Sequence, residues 1–306
     1  MIRPALLAAL LLAAAPVSAA PRCDEQCLTV LADRTLAALA AKDIRRLPWA
    51  GTVRFTENGV PIDIPDGLWG STGDIPGKKA LAVADARTGE VVWLGTVYDH
   101  DQPAFGVMRL KVDAAGKLAE VELVVARKGN PGPYGDAARF TADPAFAQTL
   151  PAGERRSRKR LVAMADAYLS TRQQNDGRLG VGFTPDCALR VNGAPQTSGG
   201  EGPAAIAQGC EAQYRAGAYK LVERVRQRRF PIVDEARGLV VAFSQQDLPA
   251  RETSFRTTDG QTHAIKDQFP MTRDVVEVLR IEGDRIARSE AISVYQPYRM
   301  RSPWTE

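Results

Sequence analysis

The strongest constraint on this chain is that it contains one unit written twice. Residues 31–61 read LADRTLAALAAKDIRRLPWAGTVRFTENGVP, and residues 164–195 read MADAYLSTRQQNDGRLGVGFTPDCALRVNGAP. With one residue of gap, Asp33 aligns with Asp166, Leu36 with Leu169, Asp43 with Asp176, and Asn58-Gly59 with Asn192-Gly193. Downstream, Asp85 to Val92 parallels Asp234 to Val241, and Leu110-Lys111-Val112 parallels Leu279-Arg280-Ile281. In both copies a turn follows, and then a strand that carries Glu122 or Glu290. Recurrence of order, spacing and turn chemistry makes an internal duplication the first fact to build on.

Each copy opens with an amphipathic helix, roughly 26–41 and 159–174. Apolar residues recur there at three and four: Leu28, Leu31, Leu36 and Leu39, then Leu161, Met164 and Tyr168. A short strand then runs into Asn-Gly, a strong hairpin signal. Alternating strands follow at 91–98, 104–112 and 118–126 in the first copy. In the second they fall at 228–233, 239–245, 274–281 and 286–295, with a further helix over 203–224. A helix followed by a curled antiparallel sheet is an α+β fold. The expectation is two tandem cone-shaped units, 21–128 and 157–306, joined by a Pro- and Gly-rich connection at 129–156. Each would be a curved antiparallel sheet wrapped around helices, with a cavity between them as a natural ligand site.

Residues 1–20 read as a secretory signal: Arg3, an apolar Ala- and Leu-rich run, then Val17-Ser18-Ala19 as small cleavage-site residues. No later stretch approaches a membrane span. A periplasmic or secreted protein is expected, and its four cysteines read as disulfides. Three pairings are possible. Cys23 with Cys27, and Cys187 with Cys210, keep each bridge within one copy, and the longer loop is worth ~3 kcal/mol in the chain-entropy model. Two histidines, neither near a cysteine, argue against a metal site. The net charge of +4 is spread along the chain, without the basic stripe that nucleic acid requires. No phosphate-cradling loop or nucleophile elbow occurs, so no cofactor is implied.

The blocks VRFTENGVPIDIPDGLW, RRFPIVDEARGLVVAF and EVLRIEGDRIARSEAISVYQPYRMRSPW resemble a secreted tandem domain family of uncharacterised function, related to the nuclear-transport-factor-two-like (SnoaL-like) superfamily. That resemblance implies a cone-shaped cavity of the kind that hosts cofactor-independent isomerases, dehydratases, cyclases and lyases, as well as non-catalytic members. It also implies association through the open sheet face, which a tandem chain can make internally as a pseudo-dimeric monomer, or between chains as a homodimer. The chain departs from the Asp–His pair common in catalytic members. His100 reads as an exposed hairpin turn, and His263 lies in a polar loop that could cover a cavity mouth.

Strand alternation nominates the remaining candidates. Glu57 shares a face with Val53 and Phe55 and points inward, as a general acid or base or as a salt-bridged partner of Arg109 or Arg127. Leu239, Val241 and Phe243 share a face with Gln245 and Asp247, an apolar floor leading to a polar mouth. Ser289, Ala291 and Ser293, with Tyr295, replace the bulkier Val121, Leu123 and Val125 of the first copy and leave volume in the second. Tyr214 and Tyr219 cover the cavity or pack in the core. The basic residues at 155–160 and 224–229 read as solvated, and the paired Asp85 and Asp234 as turn formers. The functional expectation is an exported, cofactor-independent lyase, dehydratase or isomerase acting on a small hydrophobic or aromatic molecule. Asp247, Glu57 or His263 would move protons, while Tyr295, Gln245, Phe243, Tyr214 and Ser293 bind. The alternative is a non-catalytic binder of a small ligand or of a protein partner.

Overall fold

A computed structural model describes residues 23–199, 201–265 and 269–304; the proposed signal segment lies outside them. The first unit runs α1 (Glu25–Ala40), β1 (Trp49–Glu57), β2 (Val60–Pro61), the single turn α2 (Leu68–Ser71), β3 (Leu81–Asp85), β4 (Glu90–Asp99), β5 (Gln102–Val112) and β6 (Leu118–Ala126). The second runs α3 (Arg158–Gln174), β7 (Gly182–Val191), β8 (Ala194–Pro195), α4 (Pro203–Ile206), α5 (Cys210–Ala216), β9 (Arg224–Asp234), β10 (Leu239–Leu248), β11 (Ser254–Arg256), β12 (Thr262–Ala264), β13 (Met271–Glu282) and β14 (Arg285–Pro297). Strand orders β2-β1-β6-β5-β4-β3 and β8-β7-β14-β13-β10-β9 are the same order, strand for strand. The chain is therefore α+β with two repeated sheet units.

The sheets are mixed rather than wholly antiparallel, because β1 runs parallel to β6 and β7 parallel to β14. Asn58 and Asn192, both at positive φ, turn the chain back at the ends of β1 and β7. Each asparagine also clamps its neighbouring strand: Asn58 bonds both backbone groups of Val125, and Asn192 those of Ser293. The helix expected over 203–224 is broken. Gly209 and Gly217 adopt φ of +83° and +74°, which leaves two short helices before β9. His100, at the two-residue turn between β4 and β5, is exposed.

Helices α1 and α3 begin on side-chain caps from Asp24 and Ser157 and pack on one face of their sheets. The opposite faces pack against each other. Phe105, Val107 and Val124 of the first unit join Val241, Phe243, Val276 and Ile292 of the second in one buried cluster. Each such side chain contributes roughly 1.5–3 kcal/mol by leaving water. The connection at 129–156 is part of this core rather than a tether, since Ala137, Phe140 and Phe146 are buried in it.

Charged groups close the edges of the seam. Arg109, 2% exposed, donates to Glu122 at 2.6 Å, and to Glu90 and Glu120 at 2.8 Å each. Glu122 also accepts from Arg229 of the second unit at 2.6 Å. Arg226 pairs with Asp247, and Arg228 with Asp166, so these arginines are structural partners rather than solvated charges. Asp85 and Asp234 accept from backbone N–H groups in their own turns, and Asp85 also accepts from the Val233 N–H across the seam. The tail completes the closure: Trp304 donates to Thr56 at 3.1 Å, and the Arg109 guanidinium lies 4.5 Å from its ring centre.

Glu290 is fully buried on the seam side of β14, 3.1 Å from Arg190. Burial pushes its carboxyl up to about 7, with Arg190 opposing and Asp143 adding to the rise. Its ordinary value is 4.5. Between those values the folded chain holds a proton that the unfolded chain has lost, so stability falls as pH rises through this window and levels off above it. Denaturant unfolding should show greater stability at about pH 5 than at pH 7, by up to ~1.4 kcal/mol per pH unit from this group. Glu290→Gln should flatten that slope, and an unchanged slope would contradict the assignment.

Candidate functional site

The two helix-facing interiors differ at equivalent positions. In the first unit, Trp93 on β4 lies over Gly95 and Gly106, where an added Cβ would come within 2.6 Å and 3.6 Å of its ring. With Leu39, Leu68 and Met108 it leaves a void of only about 10 Å3. In the second unit the position of Trp93 is held by Ala242, and the glycine pair becomes Ser244 and Val275. The second unit keeps a cavity of about 440 Å3, bordered by Arg172, Tyr219, Arg273, Glu277, Ser289 and Tyr295.

Charged or polar groups enter the hollow unit where the solid one is mostly apolar. By the repeat alignment, Thr35, Leu39, Met108 and Val121 correspond to Tyr168, Arg172, Glu277 and Ser289. These four converge. Glu277 is 2% exposed, and its Oε1 accepts from Tyr168 at 2.9 Å and from Ser289. The Arg172 Nη2 lies 3.6 Å from the same oxygen and donates to the hydroxyls of Tyr168 and Tyr214. The other oxygen, Oε2, is buried without a partner, and Glu277 borders the cavity. One carboxylate oxygen is thus saturated and fixed while the other is unsatisfied. Burial raises the hydroxyls of Tyr168, Tyr214 and Tyr219 above the ordinary phenol range, with Arg172 opposing in each case. They therefore remain hydrogen-bond donors, not bases.

Two insertions absent from the first unit cover this cavity. The first is α5, fixed to β7 by the Cys187–Cys210 disulfide, with Tyr214 stacked between Phe183 and Tyr219. The second is the β11–β12 hairpin, which stands where the first unit has only the His100-Asp101 turn. Its Phe255 and His263 stack at 5.4 Å and line the cavity with Leu221, Val222 and Ile265. The second bridge, Cys23–Cys27, lies at the start of α1.

The expected residues separate into two groups. His263 and Tyr295 line the cavity; Tyr214 is fully buried behind Tyr219 and holds Arg172. Ser293 is on the cavity face of β14, paired with Val275, and its hydroxyl has no partner. Phe243, Gln245 and Asp247 lie elsewhere. Cross-strand pairing places Val240, Ala242, Ser244 and Gln246 on the side of Glu277, so the odd-numbered residues of β10 face the seam. There Phe243 packs under Arg229, and Asp247, wholly buried, accepts from Arg226 at 2.8 Å and from Thr272 at 2.6 Å. Gln245 bonds Arg226 and Gln296. Glu57 faces inward in the filled unit, where it accepts from Arg127 at 2.7 Å and from the Leu68 N–H at 2.6 Å. Its oxygens are occupied in structural roles. Among the described residues, no group of three or more His, Cys, Asp or Glu is placed to hold a metal ion, and no helix is long and apolar enough to cross a membrane.

Glu277, Arg172 and Ser289 were not singled out as one constellation by pattern alone. The usable signal was the substitution of charged residues for apolar ones at matched positions of the two copies.

Ala218 borders the cavity, so Ala218→Leu should weaken binding of the neutral fluorescent probe N-phenyl-1-naphthylamine by tenfold or more while the melting temperature is kept. Trp93→Ala in the first unit should cost roughly 3–5 kcal/mol in unfolding free energy. Unchanged probe binding in the first variant would contradict this account of the cavity.

Comparison with known proteins adds one match. No curated protein sequence matches the chain. Residues 154–293, from just before α3 to Ser293 of β14, match a family described as a domain of unknown function (DUF8021). The matched stretch is under half of the chain and covers most of the hollow unit, stopping before Tyr295.

Proposed function

We propose that the second unit is a cofactor-independent enzyme of the lyase, dehydratase or isomerase type, acting on a small, largely apolar molecule held in a cone-like cavity. The observation that carries this reading is the unpartnered Oε2 of Glu277, a buried residue that borders an otherwise mainly apolar chamber. A buried carboxylate held on one side by Tyr168, Ser289 and Arg172 is positioned to take a proton from a bound ligand and return it at another atom. Arg172 balances its charge, while the hydroxyl donors fix its orientation. Aromatic and aliphatic walls from Tyr219, Phe255, Leu221 and Ile265 suit a hydrophobic body. His263, on the hairpin, is a contributor to the lid.

The resemblance to the SnoaL-like superfamily supports the same reading, since cavities of that kind host chemistry without cofactors. The two disulfides are compatible with a periplasmic or extracellular setting. The first unit, filled by Trp93, serves as a scaffold whose sheet supports the sheet of the second.

A thermal-shift screen of aromatic and isoprenoid compounds, followed by turnover assays on the compounds that bind, tests the proposal. Glu277→Gln should lower kcat by a factor of ~10²–10⁴ while leaving ligand affinity within a few-fold. Binding without turnover in the unaltered protein, or turnover unaffected by the substitution, would instead identify a ligand carrier or a different proton acceptor.

A further inference from the structure

The cavity face of the second sheet is ordered in rows set by strand register. One row is Gln246, Arg273 and Tyr295; the next is Ser244, Val275 and Ser293; the third is Ala242, Glu277 and Ala291. Directly paired residues on antiparallel strands project to the same side. Arg273 and Glu277 are thus two rows apart on β13, their backbones separated by roughly 13 Å at ~3.3 Å per residue. Both residues border the cavity.

The row at Arg273 is rich in unused donors. The Arg273 Nη2 donates to the Gln246 Oε1 at 2.9 Å, but its Nε is buried without a partner. The Gln246 Nε2, on a side chain with no exposure, is likewise unpartnered. Among the described residues no carboxylate lies within ion-pair distance of Arg273, whereas Arg172, Arg190 and Arg226 on the same sheet unit each have one. A largely enclosed guanidinium with an empty N–H and no counter-charge is costly unless something anionic completes it. The third row has the opposite character: Glu277 is a carboxyl group with an oxygen left without a donor. Ser244, Val275 and Ser293 form the row between them.

We propose, building on the cavity reading above, that the ligand is a carboxylic acid with an apolar body. Its carboxylate seats on Arg273, which the Gln246 amide oxygen holds in place, and its reacting end lies at Glu277. The planar guanidinium matches a carboxylate in geometry as well as charge. Repulsion from Glu277 excludes the reverse orientation, so the two poles fix both which end enters where and which atoms meet the proton acceptor. Between them, the hydrophobic lining takes the body of the ligand. Arg273 is in this account a substrate-binding residue.

Isothermal titration of the full chain with 4-phenylbutyrate and with its methyl ester tests the assignment. These two probes share a body and differ only in the charged head. The acid should bind at least tenfold more tightly than the ester. Arg273→Met should remove that preference and leave ester binding unchanged, whereas Arg273→Lys should retain part of it. An ester that binds as well as the acid, or an acid affinity indifferent to Arg273→Met, would overturn the carboxylate assignment and leave the cavity reading standing. Binding of neither probe would overturn both.

Discussion

The packing of one sheet against the other governs what the rest of this molecule can do. A six-stranded sheet with two apolar faces must bury both, and here each unit buries one face on its own helix and the other on its twin. The seam is filled by Phe105, Val241, Phe243 and their neighbours, and its edge is closed by the Arg109–Glu122–Arg229 contacts. That leaves only the helix-facing interiors as places where volume can be kept without exposing a core. In the first unit the Trp93 indole takes up that volume, whereas the second keeps a cavity of about 440 Å3.

Buried charge is used differently in the two locations. In the seam, Arg109, Arg226, Glu122 and Asp247 have partners on several sides, an arrangement that offsets the desolvation of each group. In the cavity, Glu277 and Arg273 keep polar atoms unpaired. Glu290 in the seam also lacks hydrogen-bond partners, so what distinguishes Glu277 and Arg273 is that their unpaired atoms belong to residues bordering a cavity.

The duplication, the opening helices and most of the long strands were legible from spacing and turn chemistry, and the cysteine pairings that keep each bridge within one copy are those formed; the break in the helix over 203–224 and strands β3, β11 and β12 were not legible. The mixed character of the sheets was not, because alternation is blind to strand direction. The assignment of Phe243, Gln245 and Asp247 to the cavity shows a second limit. β10 is buried along its whole length, so its odd and even residues look equally internal, and only pairing with β13 tells which set meets the helix. Ser289 and Tyr295 were placed on the cavity face correctly because β14 alternates small and polar residues with larger ones. The linker escaped notice as a core element since its Phe140 and Phe146 are isolated apolar residues in a stretch of Pro, Gly and Ala with no period.

The walls over the hollow interior are not equally firm. On one side α5 is riveted to β7 by a covalent bond between Cys187 and Cys210. On the other, the β11–β12 flap is attached to the end of α5 through hydrogen bonds of Thr258 to Ala216 and Arg215. Reduction of the Cys187–Cys210 bridge would leave α5 held by non-covalent contacts alone, with Tyr214 between Phe183 and Tyr219, so the covalent share of this wall belongs to an oxidising compartment.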